Sequence, residues 1–341
     1  MTETVKCGVR AVLILAALAL SVGAARADDF YRGRTINFYV GFGVGGTYDL
    51  YARAVAAHLG HHIPGSPTVV AVNMPGAGGI AAANYMYRVA PKDGTAIAIT
   101  AQSVATDQLF GVEGIQYDVR NFIWIGRITP VETIFFTWHT SPTKSFADAQ
   151  QRVTTLGSSG SGDTVDPPRA LNQYAGAKFK LVLGYRGSND VALAVERGEV
   201  DGGYAAWADL AYRNRDWLDQ KQVNLLFFMA DRHPKLAPDV PLGTELAPTA
   251  EGKAVLGLFT APNVIGRSVL TAPGVPADRV AILRQAFAAT LEDPDFRADA
   301  QKIGLVPELM TGEELGKYVA TLMATPGDLV KKAEAIRQPA P

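Results

Sequence analysis

The stretch TINFYVGFGVGGTYDLYARAVAAHL, residues 35–59, decides the fold. Its first six residues are a β-rich apolar run, and a glycine-rich turn follows at 41–49. Beyond the turn, Tyr51, Ala54, Val55, His58 and Leu59 recur at the i, i+3, i+4, i+7, i+8 spacing of a one-faced helix. The order is strand, turn, helix, and it is repeated downstream. TVVAVN at 68–73 leads into Pro75-Gly76-Ala77-Gly78-Gly79 and the alanine-rich IAAANYMYRVA, while TAIAIT at 95–100 leads to Gln102 and Ser103. Such alternation predicts a largely parallel sheet.

The middle of the chain follows the same plan. RVTTLG at 152–157 enters the loop SSGSGDTV, after which Asp166 reads as an N-cap and Pro167-Pro168 as the first helical turn. KLVLGY at 180–185 passes through Arg186-Gly187-Ser188 into the helical NDVALAVERG, followed by EVDGGYAAW. Farther on, Val280, Leu283, Phe287 and Leu291 form a helical stripe, and Leu270 to Gly274 reads as a short strand and turn returning to an earlier domain. Two α/β lobes result, with boundaries at 28–128 plus 262–341 and at 129–261.

The N-terminal residues predict export. Lys6 and Arg10 precede an apolar run from Ala11 to Ala24, and Ala25-Arg26-Ala27 fits the small-x-small cleavage rule, so 1–27 reads as a removed signal peptide. Cys7 lies ahead of the apolar run, so it is not a lipidated cysteine, and the mature chain has no thiol chemistry. Lys6, Arg10 and Arg26 against Glu3 give the signal a charge of +2, which turns the −1 of the whole chain into −3 for the mature part. That balance argues against a nucleic-acid partner, which calls for clustered basic residues.

The glycine turns carry the chemistry. Each aims backbone N–H groups and a helix start at one place, the construction that holds an anion. Gly41, Gly43 and Gly46 also match G-x-G-x-x-G, but the second strand ends in Asn73 where a dinucleotide site expects an acid, and an exported protein has no supply of the cofactor. His58, His61 and His62 lack a carboxylate at ligand spacing and read as a helix end, so no metal is expected, nor any other cofactor. The serines at 158–161 are not in a G-x-S-x-G context, which leaves serine hydrolysis as a minor alternative to hydroxyls that donate to a ligand. Tyr48 and Trp207 read equally as core aromatics or pocket walls, and Arg169 and Arg186 as surface charges or bidentate carboxylate partners.

Four segments in order resemble the extracytoplasmic solute receptors of tripartite tricarboxylate transporters, the Bug receptors. These are Gly45-Gly46-Thr47-Tyr48-Asp49, the N-x-P-G-A-G-G loop from Asn73, Ala90-Pro91-Lys92-Asp93-Gly94-Thr95, and Tyr185-Arg186-Gly187-Ser188 followed by Gly198-Glu199-Val200-Asp201. The resemblance covers nearly the whole mature chain. It implies an α/β, two-domain periplasmic binding protein of type II, with two crossovers and a ligand cleft between the domains. It further implies a monomeric, non-enzymatic periplasmic receptor that delivers a small organic acid, a dicarboxylate or an aromatic acid, to membrane permease subunits. A sensor that presents its closed form to a histidine-kinase ectodomain is the alternative.

Carried onto this chain, the family's carboxylate-holding positions on the first lobe are Gly45, Gly46, Thr47, Gly76, Ala77, Gly78 and Gly79, and the residues around them add Val44, Tyr48, Asp49, Pro75, Gln102 and Ser103 as expected ligand groups. On the second lobe the carry-over falls on Ser158, Ser159, Gly160 and Ser161, and Arg169, Arg186 and Trp207 are added as candidates by their own sequence context. One departure stands out. The family often has His and Leu after the middle loop, where this chain has Asp166-Pro167-Pro168-Arg169.

Overall fold

The computed structural model describes residues 30–160 and 162–338. The expected signal peptide and Ser161 lie outside them. The chain forms two compact units: one takes the described residues up to Thr100, Asn121–Gly126 and Val269–Ile303, and the other takes Ala101–Arg120, Arg127–Ser268 and the residues from Gly304 on.

In the first unit β1 (Thr35–Val40) lies between β2 (Thr68–Asn73) and β3 (Ala96–Ile99), parallel to both. The register pairs Val40 with Asn73 and with Ile99, so the turns that follow β1 and β2 leave the sheet at the same edge. Farther across the sheet stand β4 (Ile123–Arg127) and β10 (Ser268–Thr271), the latter antiparallel to β3. The strand read at 270–274 does return to the earlier sheet. It runs antiparallel because it enters from the other unit and not through a βαβ loop, which is what imposes parallel pairing. Helix Thr47–Leu59 packs on β2 and against helices Ala277–Glu292 and Pro294–Lys302. The predicted stripe of Val280, Leu283, Phe287 and Leu291 is buried.

The second unit has a five-stranded sheet in the order β7 (Phe179–Leu183), β6 (Thr154–Ser158), β8 (Gly202–Ala206), β5 (Thr133–Trp138), β9 (Val223–Met229). β6 is parallel to β7 and β8, whereas β5 is antiparallel to β8 and β9, so the sheet is mixed. Its core includes Ile134, Phe136, Val191, Trp207 and Phe228.

Helix Gly327–Arg337 packs on helices Gly162–Ala175 and Ala250–Ile265, which groups the C-terminal stretch with the second unit where the sequence reading drew it with the first.

Asp166 is not an N-cap. The helix begins at Gly162, and Pro167 and Pro168 fall inside it. The proline pair misled because Gly162-Asp163-Thr164 is a poor helix-forming run, and a proline past the first turn removes an intrahelical donor.

Among the described residues no helix is long and apolar enough to cross a membrane.

Candidate functional site

The two glycine turns of the first unit stand side by side. A Cβ built on Gly41 would lie 3.4 Å from Gly79 Cα, which shows how near the turns run, and Gly79 itself sits at φ 99°, where a side chain is strained. Met74 N–H donates to Val40 carbonyl and Gly41 N–H to Ile99 carbonyl, so the bases of both turns are fixed to the strands. From those bases Gly43, Val44, Gly45, Gly46 and Thr47 project into solvent, as do Pro75, Gly76, Ala77 and Gly78. Tyr48 is half-buried, its ring stacked on Phe42 at 4.1 Å.

The second turn coils through a run of left-handed backbone: Ala77 at φ 46°, Gly78 at 64° and Gly79 at 99°. The bonds that close it run from Gly79 N–H and Ile80 N–H to the Gly76 and Ala77 carbonyls and use neither the Ala77 nor the Gly78 amide. In the first turn Gly46 caps helix Thr47–Leu59 with no side chain, so the amides of the first helical turn have no intrahelical acceptor. The Ala77 and Gly78 amides thus lie outside the closing bonds of their turn, and the first helix starts with no side-chain cap, an arrangement that suits an anion.

Asp49 organises this edge. Its buried carboxylate accepts from Gly45 N–H at 2.9 Å, from Arg53 Nε at 2.9 and 3.0 Å, and from Asn73 Nδ2 at 2.8 Å. Asn73 also donates to Phe42 carbonyl and accepts from Arg53, so one carboxylate ties the first turn, its helix and the end of β2 together. The Arg53 hydrogen bond, opposed by burial and reinforced by Gly45 and Asn73, holds Asp49 down to about 2. Its oxygens are engaged within the protein, and the residue shapes the turn. Arg53 and Asn73 were not among the expected site residues, although an aspartate and an arginine four apart on a helix are a recognisable pair.

Two other motif aspartates have the same task. Asp93 accepts from the Thr95 amide at 3.0 Å and hydroxyl at 2.6 Å. Asp201 accepts from the Thr155 amide at 2.7 Å and hydroxyl at 2.6 Å, which locks the entrance of β6 to that of β8.

In the second unit the residues expected from sequence part company. Ser158 is buried, its hydroxyl 2.6 Å from Thr164 Oγ1 and accepting from Gly160 N–H at 3.1 Å. Ser159 hydrogen-bonds Tyr204. Trp207 is a core residue, edge-on to Phe228 at 5.1 Å. Arg186 has its side chain 91% exposed and is paired with Asp190. Ser103 donates to Asp107 at 2.7 Å, and Gln102 is held by Arg267 and Asn263. Arg169 donates to the Ile336 and Arg337 carbonyls at 3.4 and 3.3 Å, capping the last helix.

A cavity of about 620 Å³ opens in this unit beside Gly160 and Gly162. Asp166 lines it, with Arg169, Glu334 and Arg337. Burial pushes Asp166 up to about 6, against the pull of Arg337 and Arg169 and with a further push from Asp163. The folded protein therefore holds this proton more tightly than the unfolded chain. Asp166 destabilises the fold progressively as pH rises from about 4 to about 6, by up to about 3 kcal/mol. Asp166→Asn is expected to gain on the wild type across that window and to keep a constant advantage above it. Urea titrations from pH 4 to 8 measure this, and a flat difference contradicts it.

Among the described residues no three His, Cys, Asp or Glu side chains are grouped as metal ligands. His58 and His62 instead face Asp299 at 3.0 Å and Asp293 at 2.9 Å.

Residues 51–335 match the model of the tripartite tricarboxylate transporter family receptor. The chain belongs to that family. The matched span starts just past Asp49, so it includes the second glycine turn and leaves the first outside. A UPF0065 protein from the gbd 5′ region of Cupriavidus necator is 26% identical over 97% of this chain and 94% of its own length. A solute-binding protein of this receptor type from Polaromonas, solved without ligand, superposes with a TM-score of 0.69 at 22% identity, covering 89% of this chain and 99% of that one. The R. palustris protein Rpa4515, solved with adipate, gives 0.60 at 23% identity over 89% and 98%. MatC from Rhodopseudomonas palustris, solved with malate, gives 0.58 at 19% identity over 90% and 99%. The fold is that of the two-domain α/β periplasmic receptors, and the family is one of substrate-binding receptors that serve a membrane transporter.

Proposed function

We propose that the protein is an exported periplasmic receptor, cleaved after residue 27, that captures a small carboxylic acid without chemical change and passes it to the permease subunits of a tripartite tricarboxylate transporter. The observation that carries this reading is the pair of adjacent, solvent-facing glycine turns braced by Asp49 and Asn73. Bare amides at a helix start recognise a carboxylate by charge and geometry together, and a turn held by its own buried carboxylate needs little reorganisation when the ligand arrives. Relatives of the same fold solved with adipate and malate support an acid ligand. A receptor is favoured over a hydrolase because the Ser158 hydroxyl is buried against Thr164 and, among the described residues, bonds no imidazole. Release to a permease follows if binding shifts a population between open and closed forms, since a ligand moves that equilibrium only by its difference in affinity for the two.

Isothermal titration of the purified mature protein against a panel of carboxylic acids and neutral sugars tests the reading. Heat with an acid and none with sugars is expected; the reverse overturns it. Gly78→Val is the companion test. Gly78 sits at φ 64° with open space where a Cβ would go, so the Cβ of a valine meets no neighbour and its backbone strain costs about 1–2 kcal/mol. The variant is expected to fold and to bind the acid at least tenfold more weakly, as read by the same titration.

A further inference from the structure

Arg337, on the last helix of the second unit, is placed in a way no glycine loop explains. Its Nε faces Asp166 Oδ2 at 3.4 Å, and its guanidinium lies over the Phe110 ring at 4.5 Å. One edge and one face of the group are therefore fixed. The two terminal nitrogens make no hydrogen bond among the described residues, and a third of the side chain, 34%, stays open. A guanidinium so anchored presents a rigid fork of donors to the cavity it lines, the arrangement that takes a carboxylate bidentately.

The rest of the lining describes what the carboxylate is attached to. Leu183 is 52% exposed at the end of β7, and with Phe110 and Val165 it gives the cavity an apolar wall. Among the described residues half of Leu183 stays uncovered, and a cavity of about 620 Å³ is in the usual range for a ligand with a substantial carbon body. The charges in the lining balance, Arg169 and Arg337 against Asp166 and Glu334. Arg169 turns its Nη1 to the carbonyls of Ile336 and Arg337, and the two carboxylates of the lining disfavour a second anionic group beside the first.

We propose that this cavity is a subsite for one carboxylate-bearing end of an acid with a long alkyl or aromatic body, and that Arg337 is the residue that reads that carboxylate. The proposal rests on the carboxylate-receptor reading above and names its ligand class. The bare fork of Arg337 takes the carboxylate, Asp166 keeps the guanidinium oriented, and Leu183 and Phe110 are covered by the carbon body. Short hydroxy-diacids leave Leu183 wet and gain less.

The test is titration of the mature protein with malate, adipate and 3-phenylpropionate, in the wild type and in Arg337→Gln and Leu183→Asp. The wild type is expected to bind adipate or 3-phenylpropionate at least tenfold more tightly than malate. Each variant is expected to lose tenfold or more for the preferred acid and to lose less for malate. Because Arg337 also secures the last helix, circular dichroism and a thermal melt accompany it. If Arg337→Gln does not fold, Leu183→Asp, at a half-exposed position on the last residue of β7, decides the matter. An acid that binds with one affinity in all three proteins overturns the subsite and leaves the receptor reading standing. Absence of binding by any acid to the wild type overturns the receptor reading, and the subsite with it.

Discussion

Asp49→Ala is expected to lower the unfolding free energy by about 2–4 kcal/mol at neutral pH and to weaken acid binding at least tenfold. The substitution leaves Gly45 N–H, Arg53 and Asn73 without their shared acceptor at a site only 1% exposed. The linkage to pH supports the size. A carboxylate held at about 2 in the folded protein, against an ordinary value near 3.8, contributes stability that is full above about 4 and is lost as pH falls toward 2. That share is about 2–3 kcal/mol. The binding loss follows from geometry, since the first turn is shaped by the Gly45 bond and joined to β2 through Asn73. Urea denaturation at pH 7 and pH 3, with titration of the best acid, provides the check. A variant as stable as the wild type at pH 7 and unchanged in affinity removes Asp49 from any organising role.

The second large effect is expected away from the loops. Gly202→Ala in β8 is predicted to cost about 3 kcal/mol or more, because the new methyl runs into the Phe136 carbonyl and stands 2.7 Å from Thr137 Cα. Those atoms are backbone of the neighbouring β5, where Thr137 is the register partner of Gly202, so no rotamer change relieves the clash and the strands must separate. Gly43→Ala is the control: its Cβ meets nothing within 4 Å, and a change below about 0.5 kcal/mol is expected. Urea midpoints and slopes for the two variants separate a local effect from loss of cooperativity. Equal midpoints would falsify the packing argument.

Much of the fold was legible because its signals are local. The TVVAVN run coincides with β2, and the Val280 to Leu291 stripe is the buried face of its helix. The two glycine turns are exposed where the strand–turn–helix pattern put them. The proline pair at 167–168 shows the limit: its turn chemistry suited a helix start, but the surrounding packing carries the helix back to Gly162.

The candidate site divides in the same way. Glycine-rich turns between a strand and a helix announce bare amides in any context, and no long-range partner is needed to read them. Whether a polar side chain near such a turn faces a ligand or is used within the protein depends on neighbours far away in the chain. Asp49 meets Asn73 across 24 residues, Arg169 meets the end of the last helix across 167, and Trp207 meets Phe228 in the core. The sequence by itself determined the repeated strand–turn–helix units and the exposed turns, since hydrophobic period and backbone freedom are properties of neighbouring residues. Only the tertiary structure decided which aspartates are clasps, which arginines are caps, and that Asp166 and Arg337 share one cavity, because hydrogen-bond donors are assigned by what folding brings within about 3 Å.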